Sequence, residues 1–320
     1  MVVNGTSPEA AAAEAADVLR AGELVALPTE TVYGLAADAA NGQAVARIFA
    51  AKERPRFNPL ICHVTDVAMA ARYGAFDARA EKLAQTFWPG PLTLVVPLAP
   101  GAPVHPLVTA GLGSIALRAP RGLAQSVIAA FGSGLAAPSA NRSGRLSPTR
   151  AEHVLEQLGD AVSLVLDGGP CDVGVESTIV SLLGDKPRLL RPGGLATETI
   201  EDALGTNLER ATAGEAIAAP GMLASHYAPQ LPIRLEADVV HGGEALLGFG
   251  DAEVPGSDQA VAVRNLSQSK NLVEAAANLF AFLAELDASG ASAIAIVPIP
   301  HHGLGEAIND RLARAASPRT

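Results

Sequence analysis

The stretch LVALPTETVYG, residues 24–34, holds an apolar run that is followed at once by a polar segment. The apolar part, Leu24–Leu27, is typical of a buried strand, and Pro28 ends it. Helical spacing occurs on both sides, over about residues 8–21 and over Ala44–Lys52. A helix, a buried strand, a polar loop and a second helix in this order predict an α/β fold, with polar groups gathered where a strand ends.

The same alternation of apolar runs and helical patterns continues to about residue 190. Strands are predicted at Leu60–Val64, Leu92–Val96, Ser114–Arg118, Leu135–Ala137, Val162–Leu166, Thr178–Leu183 and Arg188–Leu190, with helices near 78–87, 122–131 and 149–158. This pattern indicates an α/β domain built on a mixed sheet.

Residues 206–230 lack clear periodicity and are rich in glycine and proline, which is the composition of a linker. Beyond them, apolar runs at Ala245–Phe249, Ala260–Val263 and Ala293–Val297 are combined with helical patterns at 271–287 and 304–315. We therefore predict a first domain over residues 1–205, a linker or lid over 206–230 and a small layered α/β domain over 231–320.

The composition excludes several classes of protein. Of 320 residues, 49% are hydrophobic and 18% charged, so the chain can bury sizeable cores and is not disordered. Cys62 and Cys171 lack the spacing of a metal site, which predicts a reducing compartment and no protein-held metal. The acidic first twenty residues lack a secretory signal, and six prolines interrupt the uncharged residues 83–117. We predict a cytoplasmic protein without a membrane helix.

The negative charge is unevenly distributed. Residues 1–200 hold 16 basic and 18 acidic side chains, whereas residues 201–320 hold 7 and 15. Leu83–Ala151 contains no Asp or Glu, and its basic residues are Arg118, Arg121, Arg142, Arg145 and Arg150. Such a segment can make a locally positive surface that suits a small anion better than extended nucleic acid. The alternative is that these arginines are solvated loop residues.

Three polar clusters lie at the ends of predicted elements. Lys52–Pro59 could bind phosphate oxygens or cap a helix C-terminus. Pro138–Gly144 could surround an anion with hydroxyl and backbone N–H groups, or form an ordinary polar turn. Glu176–Thr178 precedes a strand and Arg191–Gly193 ends the next, the place where open α/β sheets contact ligands.

Two further observations narrow the chemistry. The chain has no GxxxxGK[ST] phosphate loop, complete GxGxxG fingerprint, GxSxG elbow or HExxH zinc motif, so covalent catalysis and the common nucleotide folds are not indicated. His226 and Tyr227 lie in the predicted linker, where the two rings could cover a ligand or anchor the linker to the domain.

In combination, several motifs resemble threonylcarbamoyl-AMP synthases of the YrdC type, in their two-domain form. The motifs are Pro28–Ala36 (PTETVYGLA), Lys52–Asn58 with Pro59-Leu60, Ser114–Arg118 (SIALR), Ser139–Asn141, Ser177-Thr178, Arg191–Gly193 and the PGMLASHYAP segment that ends at Pro229. The resemblance implies a twisted mixed YrdC-like sheet followed by a smaller Rossmann-like domain. It also implies a nucleotidyltransferase that forms threonylcarbamoyl-AMP and pyrophosphate from L-threonine, bicarbonate or CO2, and ATP.

The resemblance further implies individual roles and partners. By the family pattern, the threonine-binding residues are Thr31, His63, Arg118, Ala137 through its backbone, and Ser177. The ATP-binding residues are Arg54, Asn58, Ser114, Ser139, Asn141, Ser147, Arg191 and Tyr227. Lys52 and Arg54 would stabilise charge on the phosphates, with Mg²⁺ bridging the phosphate oxygens of ATP. The product would pass to proteins that transfer threonylcarbamoyl to tRNA.

Two other functions are compatible with the residues alone. A double-stranded RNA or tRNA-binding module would use the arginines, although the sequence pI near 5.2 and the absence of a long basic face argue against it. A carbamoyl or adenylyl transferase with another acceptor would use the same scaffold. Dependence of the reaction on threonine separates these alternatives.

Overall fold

The computed structural model of the chain describes residues 2–3, 7–210 and 226–317. The helices are α1 Pro8–Arg20, α2 Gly42–Lys52, α3 Val67–Ala70, α4 Ala78–Phe87, α5 Pro106–Thr109, α6 Leu123–Phe131, α7 Ala151–Leu158, α8 Thr197–Leu204, α9 Leu272–Asp287 and α10 Leu304–Ala316. The strands are β1 Val2–Val3, β2 Val25–Leu27, β3 Gly34–Asp38, β4 Ile61–His63, β5 Leu92–Pro97, β6 Ser114–Arg118, β7 Leu135–Ala136, β8 Leu164–Leu166, β9 Thr178–Ser181, β10 Arg188–Arg191, β11 Glu209–Arg210, β12 Ile233–Arg234, β13 Glu244–Gly248, β14 Val263–Asn265 and β15 Ala293–Ile296.

The larger sheet is mixed, as the sequence predicts. Its strand order in the described residues is β1-β8-β2-β3-β7-β4-β6-β5-β9-β10-β11. Strands β4 and β6 run parallel, whereas β2 and β3 are antiparallel. Both faces of the sheet are covered: Val25 and Leu27 pack with α1 and α6, while Leu24 and Ala26 face the cluster that contains α2 and α4. Burial on both faces explains why the first apolar run does not alternate with polar residues.

Strand β3 is absent from the sequence predictions. Its sequence, GLAAD, combines glycine and alanine, which have low strand propensity, and gives no apolar alternation. Pairing with β2 on one side and β7 on the other supplies its stability. The polar segment 28–33 is therefore a connection between two adjacent strands, and Tyr33 N–H fixes it by donating to Pro148 O at 2.8 Å.

The smaller sheet contains four parallel strands in the order β12-β15-β13-β14, with α9 and α10 packed against it. This arrangement confirms the smaller layered α/β unit predicted from the sequence. Strand β14 begins at Val263, where the predicted run ends. The residues just before it already bond to β13, since Val261 N–H donates to Glu244 O and Ala262 O accepts from Leu246 N–H. None of the helices in residues 7–210 and 226–317 is long and apolar enough to cross a membrane.

The two sheets share an apolar cluster. Val32, Leu146 and Val175, which belong to segments around the larger sheet, pack in the same buried cluster as Leu247 and Phe280. The division at 206–230 stays a prediction, because residues 211–225 lie outside the described part of the chain. The shared cluster shows that the smaller sheet and its helices are docked through a continuous apolar contact.

Gly174 allows this docking to be close. Its φ is +75°, and a Cβ at this position would lie 2.4 Å from the carbonyl oxygen of Ala276 in α9. Gly174→Ala should therefore lower the free energy of unfolding by roughly 1–3 kcal/mol, since it combines backbone strain with overpacking. Urea unfolding followed by circular dichroism measures this. Gly184→Ala is the matched control, because nothing lies within 4 Å of its added Cβ and its φ is ordinary; equal effects of the two substitutions would contradict the prediction.

Candidate active site

A small cavity lies at one edge of the larger sheet. Strands β4 and β6 are parallel and end at this edge with His63 and Arg118, while β9 begins there after Ser177 and β10 ends there with Arg191. The cavity volume is about 50 Å³. Of the predicted site residues, those that line it are Arg54, His63, Arg118, Ala137, Ser139, Ser177, Arg191 and Tyr227.

Among the other predicted residues, Thr31, Asn58, Ser147 and Lys52 each contact a residue that lines the cavity. Thr31 contacts the lining residue Thr29 through hydroxyl oxygens 2.9 Å apart. Arg54 donates through Nε to Asn58 O, and Ser147 donates to the Glu176 carboxylate. Ser114 begins β6, whereas the cavity lies at the other end of that strand, so the structure does not bring Ser114 to the lining.

Arg118 forms a buried ion pair with Glu30. Its Nη2 lies 2.9 Å from Glu30 Oε1, and its Nε donates to Gly90 O at 3.2 Å. Burial alone would raise the pKa of Glu30, but the Arg118 charge and the backbone N–H of Arg121 hold that pKa below its usual value. Glu30 is thus ionised and fixes the guanidinium at the cavity wall.

His63 presents two unused ring nitrogens. Both nitrogens are buried and have no hydrogen-bond partner among the described residues. Burial, with a smaller contribution from the nearby Arg118 charge, lowers the pKa of His63 well below its usual value. The ring is therefore neutral, with one donor and one acceptor available to a ligand in the cavity.

Three cations are buried close to one another. Arg54 donates from Nη2 to Pro59 O at 2.9 Å, and Arg191 donates from Nη2 to Ser177 O at 2.9 Å. Burial, assisted by the Arg191 charge, lowers the pKa of Arg54 to about 10. Burial and then the Arg54 charge lower the pKa of Lys52 well below its usual value. Buried cations that lie close together repel one another, and an anion bound between them reduces this repulsion.

Lys52 also organises the loop that follows β7. Its ammonium donates to Ser139 O at 2.6 Å and to Asn141 O. The Asn141 amide in turn donates to Arg145 O at 2.9 Å, so it closes the turn that follows. The buried Lys52 side chain therefore holds the backbone of Ser139–Asn141 against the end of α2.

Asn58 carries an unsatisfied side-chain amide. Its Nδ2 and Oδ1 are buried, and neither has a hydrogen-bond partner among the described residues. Buried amides are almost always paired, so the exception indicates a position where a ligand supplies the missing partners.

The sequence predictions missed a buried network centred on Glu176. Its Oε2 accepts from Arg311 Nε at 2.7 Å, and its Oε1 accepts from Ser147 Oγ. Burial alone would raise its pKa, but the Arg311 and Arg191 charges lower it to about 2. The Arg311 guanidinium carbon also lies 5.0 Å from the ring centroid of Tyr227. The sequence analysis named Ser147, Arg191 and Tyr227 as ATP-binding residues and placed Glu176 in a polar cluster. It gave no signal for Arg311, which resembles any surface arginine on an amphipathic helix.

Metal and thiol chemistry have little support in the side chains. In residues 7–210 and 226–317, no group of three His, Cys, Asp or Glu side chains could hold a metal ion. The two cysteines are buried, and burial raises the pKa of Cys62 and of Cys171 to about 12. Both thiols are therefore protonated near neutral pH.

Comparison with known proteins identifies the family. A family model described as "Telomere recombination" matches residues 17–193, and a second, described as "Threonylcarbamoyl-AMP synthase, C-terminal domain", matches residues 195–317. The chain is 40% identical to the threonylcarbamoyl-AMP synthase of Bacillus subtilis over 323 aligned residues, which cover 96% of this chain and 93% of the relative. The chain belongs to the threonylcarbamoyl-AMP synthase family. It is an enzyme of that family, as the motifs led us to expect.

Other members of the threonylcarbamoyl-AMP synthase family support the same assignment. The Pyrococcus abyssi enzyme is 40% identical over 95% of this chain and 94% of its own length. A crystal structure of P. abyssi Sua5 complexed with L-threonine superposes with a TM-score of 0.89, at 36% identity and with coverage of 99% of this chain and 97% of that one. The two-sheet architecture of the chain is therefore shared with P. abyssi Sua5.

Proposed function

We propose that the cavity is the site where L-threonine, bicarbonate or CO2, and ATP form L-threonylcarbamoyl-AMP and pyrophosphate, for threonylcarbamoyladenosine in tRNA. The observation that carries the proposal is the cluster of Lys52, Arg54 and Arg191 beside the unpartnered His63. The P. abyssi structure with L-threonine bound supports threonine as the amino acid. A buried group of cations matches a triphosphate, and the polar wall around His63 matches a small amino acid.

Threonine would occupy the part of the cavity between β4, β6 and the β2–β3 connection. We assign its carboxylate to Arg118, which Glu30 orients from the opposite side at 2.9 Å. His63 would bond the substrate through its free ring nitrogens, and Thr31, Ser177 and the Ala137 backbone complete the predicted set. Because Glu30 holds the Arg118 guanidinium in place, the bound threonine would have a fixed orientation. A fixed orientation aligns the threonine amine for reaction.

The triphosphate would be held by Arg54 and Arg191, with Lys52 behind the loop. The predicted ATP residues Ser139, Asn141 and Ser147 lie in that loop and just after it, and Asn58 offers an unsatisfied amide. Lys52 both contributes positive charge and fixes the loop backbone. Tyr227 lines the same cavity from the segment that precedes β12. Ser114 stays a prediction from the family pattern alone.

The chemistry needs positioning and charge stabilisation more than a protein nucleophile. The threonine amine adds to CO2 and loses a proton, which gives a carbamate. One carbamate oxygen then attacks the α-phosphorus of ATP, and the bond to the β,γ-pyrophosphate breaks with its electrons. Alignment of the two reactants contributes roughly 7–11 kcal/mol in well-oriented reactions. Arg54 and Arg191 would stabilise the negative charge that moves onto the leaving pyrophosphate.

Mg²⁺ would enter with ATP and neutralise charge on its phosphate oxygens. Glu176 is the carboxylate nearest the cations, and its two oxygens are already occupied by Ser147 and Arg311. The side chains therefore fit a metal that is bound to the nucleotide better than a metal held by the protein.

The predicted setting of the enzyme is also a proposal. We place the catalytic domain in residues 1–205, the linker in 206–230 and the smaller domain in 231–320. We further propose a cytoplasmic location and product transfer to proteins that modify tRNA. A lid movement would involve residues 211–225, which lie outside the described residues.

The test is pyrophosphate release from ATP, with L-threonine and bicarbonate each present or omitted. We expect release only when both are present, together with a threonylcarbamoyl adenylate in rapid-quench mass spectrometry. Serine and glycine, each at the same concentration as threonine, serve as control amino acids. Release that is indifferent to threonine would contradict the proposal and favour another acceptor, and no release at all would favour a binding role.

A further inference from the structure

Arg311 is a fully buried arginine on helix α10. It lies in α10, in the unit built on the smaller sheet, and its side chain is 0% exposed. Its Nε is 2.7 Å from Glu176 Oε2, and its Nη1 is 2.6 Å from Asp310 Oδ2. Its Nη2 is buried without a hydrogen-bond partner among the described residues. Burying an arginine is costly, so its environment is arranged around this one charge.

The guanidinium contacts two residues that line the cavity. Glu176 lines it directly, and its second oxygen holds Ser147. Tyr227 lines it as well, with its ring 5.0 Å from the Arg311 guanidinium carbon. Arg311 is not itself among the lining residues. It therefore acts on the site through these two neighbours.

Tyr227 depends on such contacts for its position. Its φ is +63°, a left-handed conformation that is unfavourable for an aromatic residue. Its ring is near the Arg311 guanidinium, the His226 ring, with centroids 4.1 Å apart, and the Phe280 ring, with centroids 5.6 Å apart. These contacts offset the backbone strain and keep the tyrosine at the cavity wall.

We propose that Arg311 is a positioning residue through which the smaller unit completes the active site. It fixes the carboxylate of Glu176, and with it Ser147, and it holds Tyr227 over the cavity. This role rests on the proposed function, because it concerns the binding and alignment of ATP. It also gives the smaller domain a part in the reaction: without α10, two cavity walls lack their support.

The charges around Glu176 determine how the role can be detected. Besides Arg311, which contacts the carboxylate from α10, the charged or titratable side chains that interact with Glu176 include Arg191, Lys52, His226 and Tyr227. Arg311, with Asp310 beside it, is the largest favourable charge on the carboxylate. Burial raises the pKa of Glu176, and the Arg311 charge opposes this effect. Without Arg311, the pKa of Glu176 therefore rises. Protonation of Glu176 would then inactivate the variant at a pH where the wild type still works.

The experiment compares three single variants by pyrophosphate release. Arg311→Met keeps an unbranched apolar stem without the charged guanidinium, and Arg311→Lys keeps the charge without the planar fork. The matched control is Glu306→Gln, on the same helix, which weakens contacts to Thr197 and Arg210 away from the cavity. The measurements are kcat and KM for ATP and for threonine between pH 5 and 9, with the melting temperature of each variant.

We expect Arg311→Met to lower kcat/KM for ATP by at least roughly 100-fold, the size of effect seen when a catalytic alignment is lost. The acid limb of its pH profile should move to higher pH. Arg311→Lys should recover part of the rate and reverse most of the shift, and Glu306→Gln should stay within about twofold of the wild type. An unchanged kcat/KM in a folded Arg311→Met variant would overturn the proposal. So would equal losses in Arg311→Met and Glu306→Gln without a shift of the acid limb.

A double variant keeps the test decisive if Arg311→Met does not fold. Glu176→Gln with Arg311→Met removes both charges of the buried pair, which leaves no uncompensated ion. Low activity without an acid limb in this folded variant supports positioning, and near-wild-type activity overturns it. Wild-type enzyme without threonine-dependent release would overturn the proposed function and this role with it. Wild-type release beside unimpaired variants would overturn the role of Arg311 alone.

Discussion

Arg54→Ala should reduce threonine-dependent pyrophosphate release by at least roughly 100-fold, the effect of removing one preorganised group that stabilises transition-state charge. Arg54 is buried at the cavity wall beside Arg191, and its guanidinium is fixed by Pro59 O at 2.9 Å. Because its charge is placed before the phosphates arrive, no reorganisation is needed when charge develops on the leaving group. The measurement is kcat and KM for ATP, and the loss should fall mainly on kcat.

The loop supplies its own control for this experiment. Arg56 lies two residues away and is exposed, so Arg56→Ala removes an equal charge without touching the cavity. We expect that variant to keep at least about half of the wild-type rate, because exposed charges are screened by water and salt. Arg54→Ala should also keep its melting temperature within a few degrees. Near-normal turnover of Arg54→Ala would remove this residue from the mechanism.

Glu30→Gln should lower the free energy of unfolding by about 3–5 kcal/mol, because it leaves the Arg118 charge buried without its partner. The side chains of the pair are only 5% and 6% exposed, and the two atoms are 2.9 Å apart. Thermal and urea unfolding at pH 7 measure the effect. The KM for threonine should rise as well, since the guanidinium that we assign to the substrate carboxylate loses its support.

At acid pH the free energies of unfolding of Glu30→Gln and the wild type should become more similar. The folded-state pKa of Glu30 is lower than its ordinary value of 4.5, so the stabilising contribution is complete above that pH and is lost as the pH falls through the folded pKa. Glu53→Gln is the control, because Glu53 and Arg142 are exposed and 3.8 Å apart. The Glu53→Gln substitution should lower the free energy of unfolding by less than about 1 kcal/mol. A Glu30→Gln variant as stable as Glu53→Gln would contradict the prediction.

The sequence predicted the regular elements best where they are long or apolar. Strand β6 and helix α4 have the predicted bounds, Ser114–Arg118 and 78–87, because buried strands and amphipathic helices leave clear patterns. Strand β3 was missed because its own residues have low strand propensity. Pairing with β2 and β7 stabilises it, and the sequence pattern does not show this pairing. The predicted strand at Thr178–Leu183 ends at Ser181, because apolar periodicity marks burial and does not mark where pairing stops.

The site could be predicted only in part, for a related reason. Short motifs located Arg54, His63 and Arg191, which the fold brings to one cavity. The partners that fix these groups are distant in sequence: Glu30 meets Arg118, and Arg311 meets Glu176. Nothing local distinguishes such a carboxylate or arginine from a solvated one. Their pairing follows from the tertiary structure, which a single sequence does not display.

The apolar cluster shared by the two sheets has a consequence for synthesis on the ribosome. Val32, Leu146 and Val175 are translated long before Phe280 and Ile308, which bury them. A nascent chain that has folded its first sheet therefore carries an uncovered apolar surface until α9 and α10 leave the exit tunnel. At about 5–20 residues per second this takes roughly 7–27 s. Helix α10 also carries Arg311. Docking of α9 and α10 thus covers this apolar surface and brings Arg311 to the residues that line the cavity.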